Sequence, residues 1–368
     1  MIFFSITYWQ TRGLHWTVDS INMKQGDGER AMIERNLQIN AEGRSAPLPA
    51  HHVAFSTFTD VEVQAGSFVG WSLDYTQMSS GAFQGSSSEV SLGAIHLWVE
   101  RLNRVILQRG AAPSDSLTVA VPLELEGHSR MCGQMSERNS LHVFSSLPEF
   151  EFYSPDRHAL VVVEIDEHSL STESLRELAI SLRTNSRSPI VPMENDIAES
   201  MRDLLRNIFA ASANSVASRD DDTNQRLDLI ERTVLFSISE VLNVPGEKTG
   251  KLTTKSMRSW ALVNAVQAQL QDPVTCPLSI AELCVQLNIS RRTIQYAFHE
   301  ALDCNPVSYL RAVRLNHVRR ELRTGLSVTS AATKWGFWHL SSFAQDYRTM
   351  FGELPSSTSK RFAKEIVQ

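Results

Sequence analysis

The chain has 368 residues, 42% of them hydrophobic and 21% charged, with a formal net charge of −6 at neutral pH. That length and composition predict two or three ordinary globular domains. No run approaches the roughly 18 uncharged apolar residues of a membrane-crossing helix, and Cys132, Cys276, Cys284 and Cys304 lack the spacing of a disulfide framework or a zinc site. These features argue against a membrane partner and point to a reducing cytoplasm.

In chain order, the opening Met1-Ile-Phe-Phe-Ser-Ile-Thr-Tyr-Trp9 is apolar but short, without a basic leader or a clear cleavage site. Met23 is an alternative start. Residues 53–75 and 117–166 hold short alternating or β-branched runs: Val119-Ala-Val, Leu141-His-Val-Phe, Phe150-Glu-Phe-Tyr and Leu160-Val-Val-Val-Glu-Ile. Residues 91–103 also read as strand, and polar turns such as Ser154-Pro-Asp-Arg separate the runs. Many short strands predict a small barrel or sandwich. Within Gly70–Gly85, the aromatics Trp71, Tyr75 and Phe83 have two readings. One is barrel core; the other is a small effector-binding cage suited to an ammonium group. His51 and His52 lack the spaced partners of a metal site, so no metal and no cofactor are predicted.

After Ser171 the apolar spacing turns helical, through Leu175, Leu178 and Leu182, then Met201, Leu205 and Ile208, then Ile230, Val234 and Ile238. Residues 218–224 read as an exposed connection. Residues 246–256, rich in Gly, Thr and Lys, read as a linker between an amino-terminal domain over 1–245 and a second domain over 257–368.

The second domain carries two helix-turn-helix patterns, over 278–300 and 328–350. In the first, Ile280, Leu283 and Leu287 supply a buried face, Asn288 suits a left-handed turn, and Ser290 suits an N-cap. Ile294, Phe298 and Ala301 point to one side of the following helix. Arg291, Arg292, Gln295, Tyr296 and His299 point to the other, with side chains fit for phosphates and base edges. In the second, Ala331 and Ala332 permit close helix approach and Gly336 is the turn residue. Trp335, Phe337, Phe343 and Phe351 read as core, leaving His339, Leu340, Ser341, Ser342 and Gln345 outward. Leu340 or Ala344 suits a thymine methyl. A helix opening at Pro306 joins the units, bearing Arg311, Arg314, Arg319, Arg320 and Arg323. Its sequence leaves open which of these meet phosphate and which are paired internally.

Charge divides with the domains. Residues 251–368 hold 15 basic and 8 acidic side chains, net +7, whereas the first 250 hold 20 and 33, net −13. One basic end is the footprint of double-stranded DNA binding; the acidic half should be repelled by DNA.

The tandem arrangement, the Pro306-Val-Ser-Tyr-Leu-Arg-Ala-Val-Arg-Leu-Asn segment and the ending Gly336-Phe … Phe343 … Tyr347 … Phe351-Gly-Glu-Leu-Pro355 together resemble the AraC/XylS transcription regulators over residues 257–361. Ser290–His299 and Trp335–Leu340 look most like the ethanolamine-utilisation regulators. Family members usually follow the last proline with a Tyr-Arg pair. Here Ser-Ser-Thr-Ser-Lys-Arg follows Pro355, so that closing contact is altered. The resemblance implies an α+β protein: a cupin-like barrel with helices that binds an effector and dimerises, then an all-α tandem helix-turn-helix domain. It implies a cytoplasmic, nucleoid-associated activator of a catabolic operon working with RNA polymerase, its effector a small amine or an aromatic compound, and no enzyme. A regulator whose amino-terminal half only dimerises or binds a protein is the alternative. A DNA-repair methyl acceptor would need clustered cysteines, and Cys132 stands alone.

Overall fold

The computed structural model describes residues 53–214, 221–243 and 254–366, apart from positions 128, 146, 187 and 275. The expectations on Met23, on His51 and His52, on most of the linker and on much of the exposed connection lie outside the described residues.

Among the described residues twelve strands, numbered along the chain, form two antiparallel sheets. One runs in the order β1 (Ala54–Phe58), β3 (Gly85–Leu92), β4 (Ile95–Leu102), β11 (Arg157–Asp166), β6 (Ser116–Glu126), β9 (Ser140–Val143) and β12 (Ile190–Pro192). The other runs β2 (Ser72–Gln77), β5 (Ile106–Ala111), β10 (Phe150–Tyr153), β7 (Arg130–Met131) and β8 (Gln134–Met135).

Side-chain alternation explains how the sheets stack. On β4 and β11, Leu97, Val161 and Val163 face a core shared with the helices, while Trp98, Leu160 and Val162 join a cluster with Phe150 and Phe152 of the second sheet. A strand buried on both faces reads as a continuous apolar run, and that is why Leu160-Val-Val-Val carries no polar alternation. The strand expected over 91–103 is in fact the β3–β4 hairpin. Leu92 pairs with Ile95, and Gly93 at φ 60° lets the chain reverse within two residues. β6 pairs with β11 through a register shift at Ala159/Leu160, where Pro122 has no N–H to give the ladder.

A short helix, α1 (Val61–Ala65), follows β1, and helices α2 (Glu173–Asn185), α3 (Asn195–Asn214) and α4 (Asp221–Leu242) cover the outer face of the larger sheet with Leu175, Leu182, Met201, Leu205, Val234 and Ile238. The Thr172 hydroxyl accepts from Leu175 N and caps α2. Fully buried Arg202 ties α3 to β6 by donating Nε to Pro122 O at 2.8 Å, and it pairs with Glu199 at 2.9 Å.

The remaining helices are α5 (Thr254–Gln269), α6 (Ile280–Leu287), α7 (Arg291–Leu302), α8 (Pro306–Arg323), α9 (Val328–Lys334), α10 (Leu340–Phe351) and α11 (Pro355–Ile366). They share one core around Val266, Leu283, Phe298, Tyr309, Val318, Ala331, Phe343 and Tyr347. Leu107 of β5 enters that core, and residues from 49 onward form one compact unit. The architecture is α+β: two stacked sheets, helices over one, and an all-helical tandem unit docked on the other.

Docking is polar as well as apolar. Arg319 of α8 donates to Asp60 at 2.9 Å and Arg323 to Asp60 at 2.6 Å, while Arg320 donates to Glu62 at 2.8 Å and also reaches Asp74. Burial pushes the Asp60 carboxyl up, but Arg319 and Arg323 outweigh it and hold it below its ordinary value. Asn316 and Gln77 exchange backbone–amide bonds of 2.8 and 3.1 Å. The first 250 residues carry net charge −13 and the rest +7, and part of that contrast meets here, within the protein.

Candidate DNA-binding surface

The first unit is built by local signals. Ser279 caps α6, whose end is turned by Asn288 at φ 52°, the left-handed conformation that asparagine tolerates. Ser290 Oγ then accepts from Thr293 N and starts α7. Ile294 and Phe298 are fully buried, so the opposite face is fixed outward: Arg291, Arg292, Gln295, Tyr296 and His299 are all exposed. Arg292, Gln295, Tyr296 and His299 line one open concavity with Ser290 and Thr293. Tyr296 is held from two sides, by Lys255 Nζ 4.7 Å above its ring and by a 3.4 Å bond from its hydroxyl to Glu300. His299 Nδ1 lies 2.9 Å from Asp303. Lys255 gave no signal in the sequence, because it lies on another helix.

The second unit repeats the plan with different supports. Ala331 and Ala332 are fully buried, and Gly336 takes φ 75° after α9. A Cβ at Gly336 would lie 2.2 Å from Leu278 Cδ2, so the close approach demands glycine. Arg314 reaches up from α8 and donates to Trp335 O and Gly336 O, each at 2.8 Å. Its guanidinium lies 4.5 Å over Phe337, and His317 stacks on Trp335 at 3.9 Å. The turn is thus pinned from beneath. On α10, Phe343, Tyr347, Met350 and Phe351 are buried, while His339, Leu340, Ser341, Ser342 and Gln345 are exposed. His339 holds the N-cap position without a side-chain cap bond. Trp338, just before it, is 65% exposed and escaped the sequence reading, which ranked aromatics here as core.

The question left open at α8 has an answer: all five arginines have protein partners. Arg311 pairs with Asp346, Arg314 holds the turn, and Arg319, Arg320 and Arg323 take Asp60, Glu62, Asp74 and Glu353. The altered ending also resolves. Fully buried Thr358 accepts from Tyr347 at 3.0 Å and donates to Glu353 at 2.8 Å, while Arg361 pairs with Glu353 at 2.9 Å.

Behind the exposed faces, the sheet part touches the far ends of both outward helices. Gly81 N donates to Thr349 O and Met350 O at 3.0 Å, and Gln77 Nε2 to Met350 O at 2.8 Å, at the close of α10. Gly352, at φ 75°, passes so near Ala82 that a Cβ would come within 2.8 Å. At the other unit, Arg130 donates to Glu300 O at 3.2 Å, near the close of α7, and Gly133 abuts Trp260.

Trp71, Tyr75 and Phe83, read as barrel core or as an effector cage, are not all brought together. Tyr75 and Phe83 lie in one buried cluster with Val61, Leu102 and Ile106. Trp71 packs edge-on to Trp98, Phe144 and Phe150 and donates to Glu164 at 3.1 Å. Tyr75 instead donates to buried Glu100 at 2.9 Å, which also accepts from Gln64 and Gln108. Burial lifts the Glu100 carboxyl to about 7 against the pull of those three bonds. Burial likewise pushes the Cys132 thiol up to about 11, far from the thiolate a methyl acceptor needs. Among the described residues no group of His, Cys, Asp and Glu is placed to hold a metal, and no helix is long and apolar enough to cross a membrane.

Residues 283–361 match the helix-turn-helix domain family. A probable regulatory protein of the thc operon of Rhodococcus erythropolis is 31% identical over 98 residues, covering 26% of this chain and 28% of that protein. The XylDLEGF operon transcriptional activator of Pseudomonas putida is 33% identical over 93 residues, 24% of this chain and 29% of that one. A solved structure of a probable AraC family transcriptional regulator from Rhodopseudomonas palustris is 36% identical over 27% of this chain and 93% of its own, with a TM-score of 0.24. The chain therefore spans less than a third of the length of either of these two curated relatives. Over residues 283–361 the chain carries a helix-turn-helix domain, similar to those of these operon regulators.

Proposed function

We propose that this chain is a sequence-specific transcription regulator, an activator of a catabolic operon, with an effector and dimerisation domain over 1–245 and DNA binding by 257–368. The observation that supports it best is the paired exposure of α7 and α10, each backed by a buried face on a pinned turn. Arg291, Arg292, Gln295, Tyr296 and His299 read one major groove; His339, Leu340, Ser341, Ser342 and Gln345 meet the next. Arginine suits guanine and glutamine suits adenine in bidentate geometry. The α8 arginines are engaged internally, so the exposed charge for phosphate falls largely to α7, and base contacts from α7 supply most of the specificity.

The test is footprinting of the full chain on its own upstream region, with Arg292→Ala and Gln295→Ala alongside. Two adjacent protected grooves are expected, with each variant losing about 1–3 kcal/mol at that site and little on random DNA. Equal binding of all proteins to all fragments would defeat the assignment.

The effector of this reading is a small amine or an aromatic acid, and RNA polymerase and a second copy of the chain are its partners. The packed aromatic interior around Trp71, Trp98, Phe144 and Phe150 favours a second reading, in which the amino-terminal half is a ligand-independent scaffold. Thermal shift of the full chain with candidate amines and aromatic acids separates the two: a saturable rise supports an effector, and none supports the scaffold.

A further inference from the structure

Exposing tryptophan is costly, since its side chain buries 150–250 Å² when it packs. Trp338 is nonetheless 65% exposed, and Leu340 beside it is 41% exposed. Looseness of the turn does not account for this. Arg314 bonds the carbonyls of Trp335 and Gly336, Phe337 is tucked under the same guanidinium and against Phe343 at 5.2 Å, and His317 stacks on Trp335. Every aromatic neighbour of Trp338 is drawn inward, and Trp338 alone is presented outward from a rigid base.

The same face explains what such a residue meets. From Trp338 to Gln345 the exposed side chains are Trp338, His339, Leu340, Ser341, Ser342 and Gln345, none of them a lysine or arginine. The equivalent face of α7 opens with Arg291 and Arg292. The first turns of α10 therefore offer apolar contact and neutral hydrogen bonds where α7 opens with charge, the exposed Arg348 of α10 coming only near its far end. In the major groove, the one apolar feature of a base pair is the thymine 5-methyl group. We propose that Trp338, together with Leu340, forms an apolar reader of thymine methyl groups, making the second unit specific for T-bearing steps. This rests on the DNA-binding reading above. It gives α10 direct sequence readout through residues outside its hydrogen-bonding set.

The experiment uses the full chain and the duplex it protects. Each thymine in the half-site facing α10 is replaced by deoxyuridine, which removes only the methyl. Wild type should lose about fourfold in affinity per contacted methyl, the worth of one buried CH₂-sized group. Trp338→Ala should bind the thymine duplex as weakly as wild type binds the deoxyuridine one, and no longer distinguish them. Trp338→Phe should retain part of the discrimination. Deoxyuridine in the half-site facing α7 should affect wild type and variants equally. Unchanged thermal unfolding of both variants excludes a folding defect.

If wild type ignores the substitution, or Trp338→Ala keeps the full thymine preference, the proposal is overturned while the regulator reading stands. In the latter case a protein partner becomes the occupant of the patch. If wild type protects no site at all, both fail.

Discussion

Two buried side chains carry sharply different consequences for the protein. Arg314 is a fork placed under a turn: three N–H groups reach Trp335 O, Gly336 O and Leu278 O. Arg314→Lys cannot span these carbonyls with one ammonium, so the turn loses at least one bond in a buried setting. A loss of about 2 kcal/mol in urea unfolding is expected, with faster amide exchange over residues 336–340. Glu100 acts through its proton. Its folded pKa of about 7 lies above the ordinary carboxylate value, so the protonated form favours folding. That contribution is fully present below the unfolded pKa and is gone once pH has risen past about 7. Wild type should lose about 2–3 kcal/mol of stability between pH 5 and pH 8 relative to Glu100→Gln. A parallel pair of pH profiles would refute it.

The helix-turn-helix elements were legible because their determinants are local. Asn288 in its left-handed turn and Ser290 as cap are set by neighbours within four residues, and Gly336 marks the second turn by residue type although Leu278 and Arg314 are what crowd it. Ser290→Ala should cost about 1 kcal/mol and fray the first turn of α7, which carries Arg291 and Arg292. The check is a thermal melt beside affinity for the protected site: affinity should fall further than on random DNA. Strands were legible by alternation, but the β3–β4 turn was not, since Gly93-Ala94 is flanked by apolar residues on both sides. Nor was the fate of the aromatics. Trp71 and Tyr75 are four residues apart, yet one packs with Trp98 and the other bonds Glu100, and only the sheet stacking decides that. Trp338 was passed over for the same reason, since residue type predicts burial and the pinned turn reverses it.

At the scale of the molecule, the decisive contacts are the least legible. Asp60 and Arg319 lie 259 residues apart, and nothing local announces their pairing. Asp60→Asn would leave Arg319 and Arg323 facing an uncharged amide. A loss of about 2–3 kcal/mol is expected, together with faster amide exchange over both β2 and α8. Exchange confined to α8 alone would mean the ion pairs do not hold the docking. In wild type this contribution is present above the ordinary aspartate value and disappears as pH falls through the lower folded value, so acid should loosen the docking.

The two anchor points of the tandem unit lie at different strands of one sheet. The close of α10 hangs from the residues that end and follow β2, and the close of α7 from β7. β5 and β10 stand between those strands, which makes three strand spacings, about 14 Å at ordinary pairing distance. The sheet therefore adds a ruler to the shared helical core, fixing where the closing ends of α7 and α10 are anchored. Adding or removing a strand, or shearing β10 against β5, would shift those anchors without altering a single exposed side chain of α7 or α10.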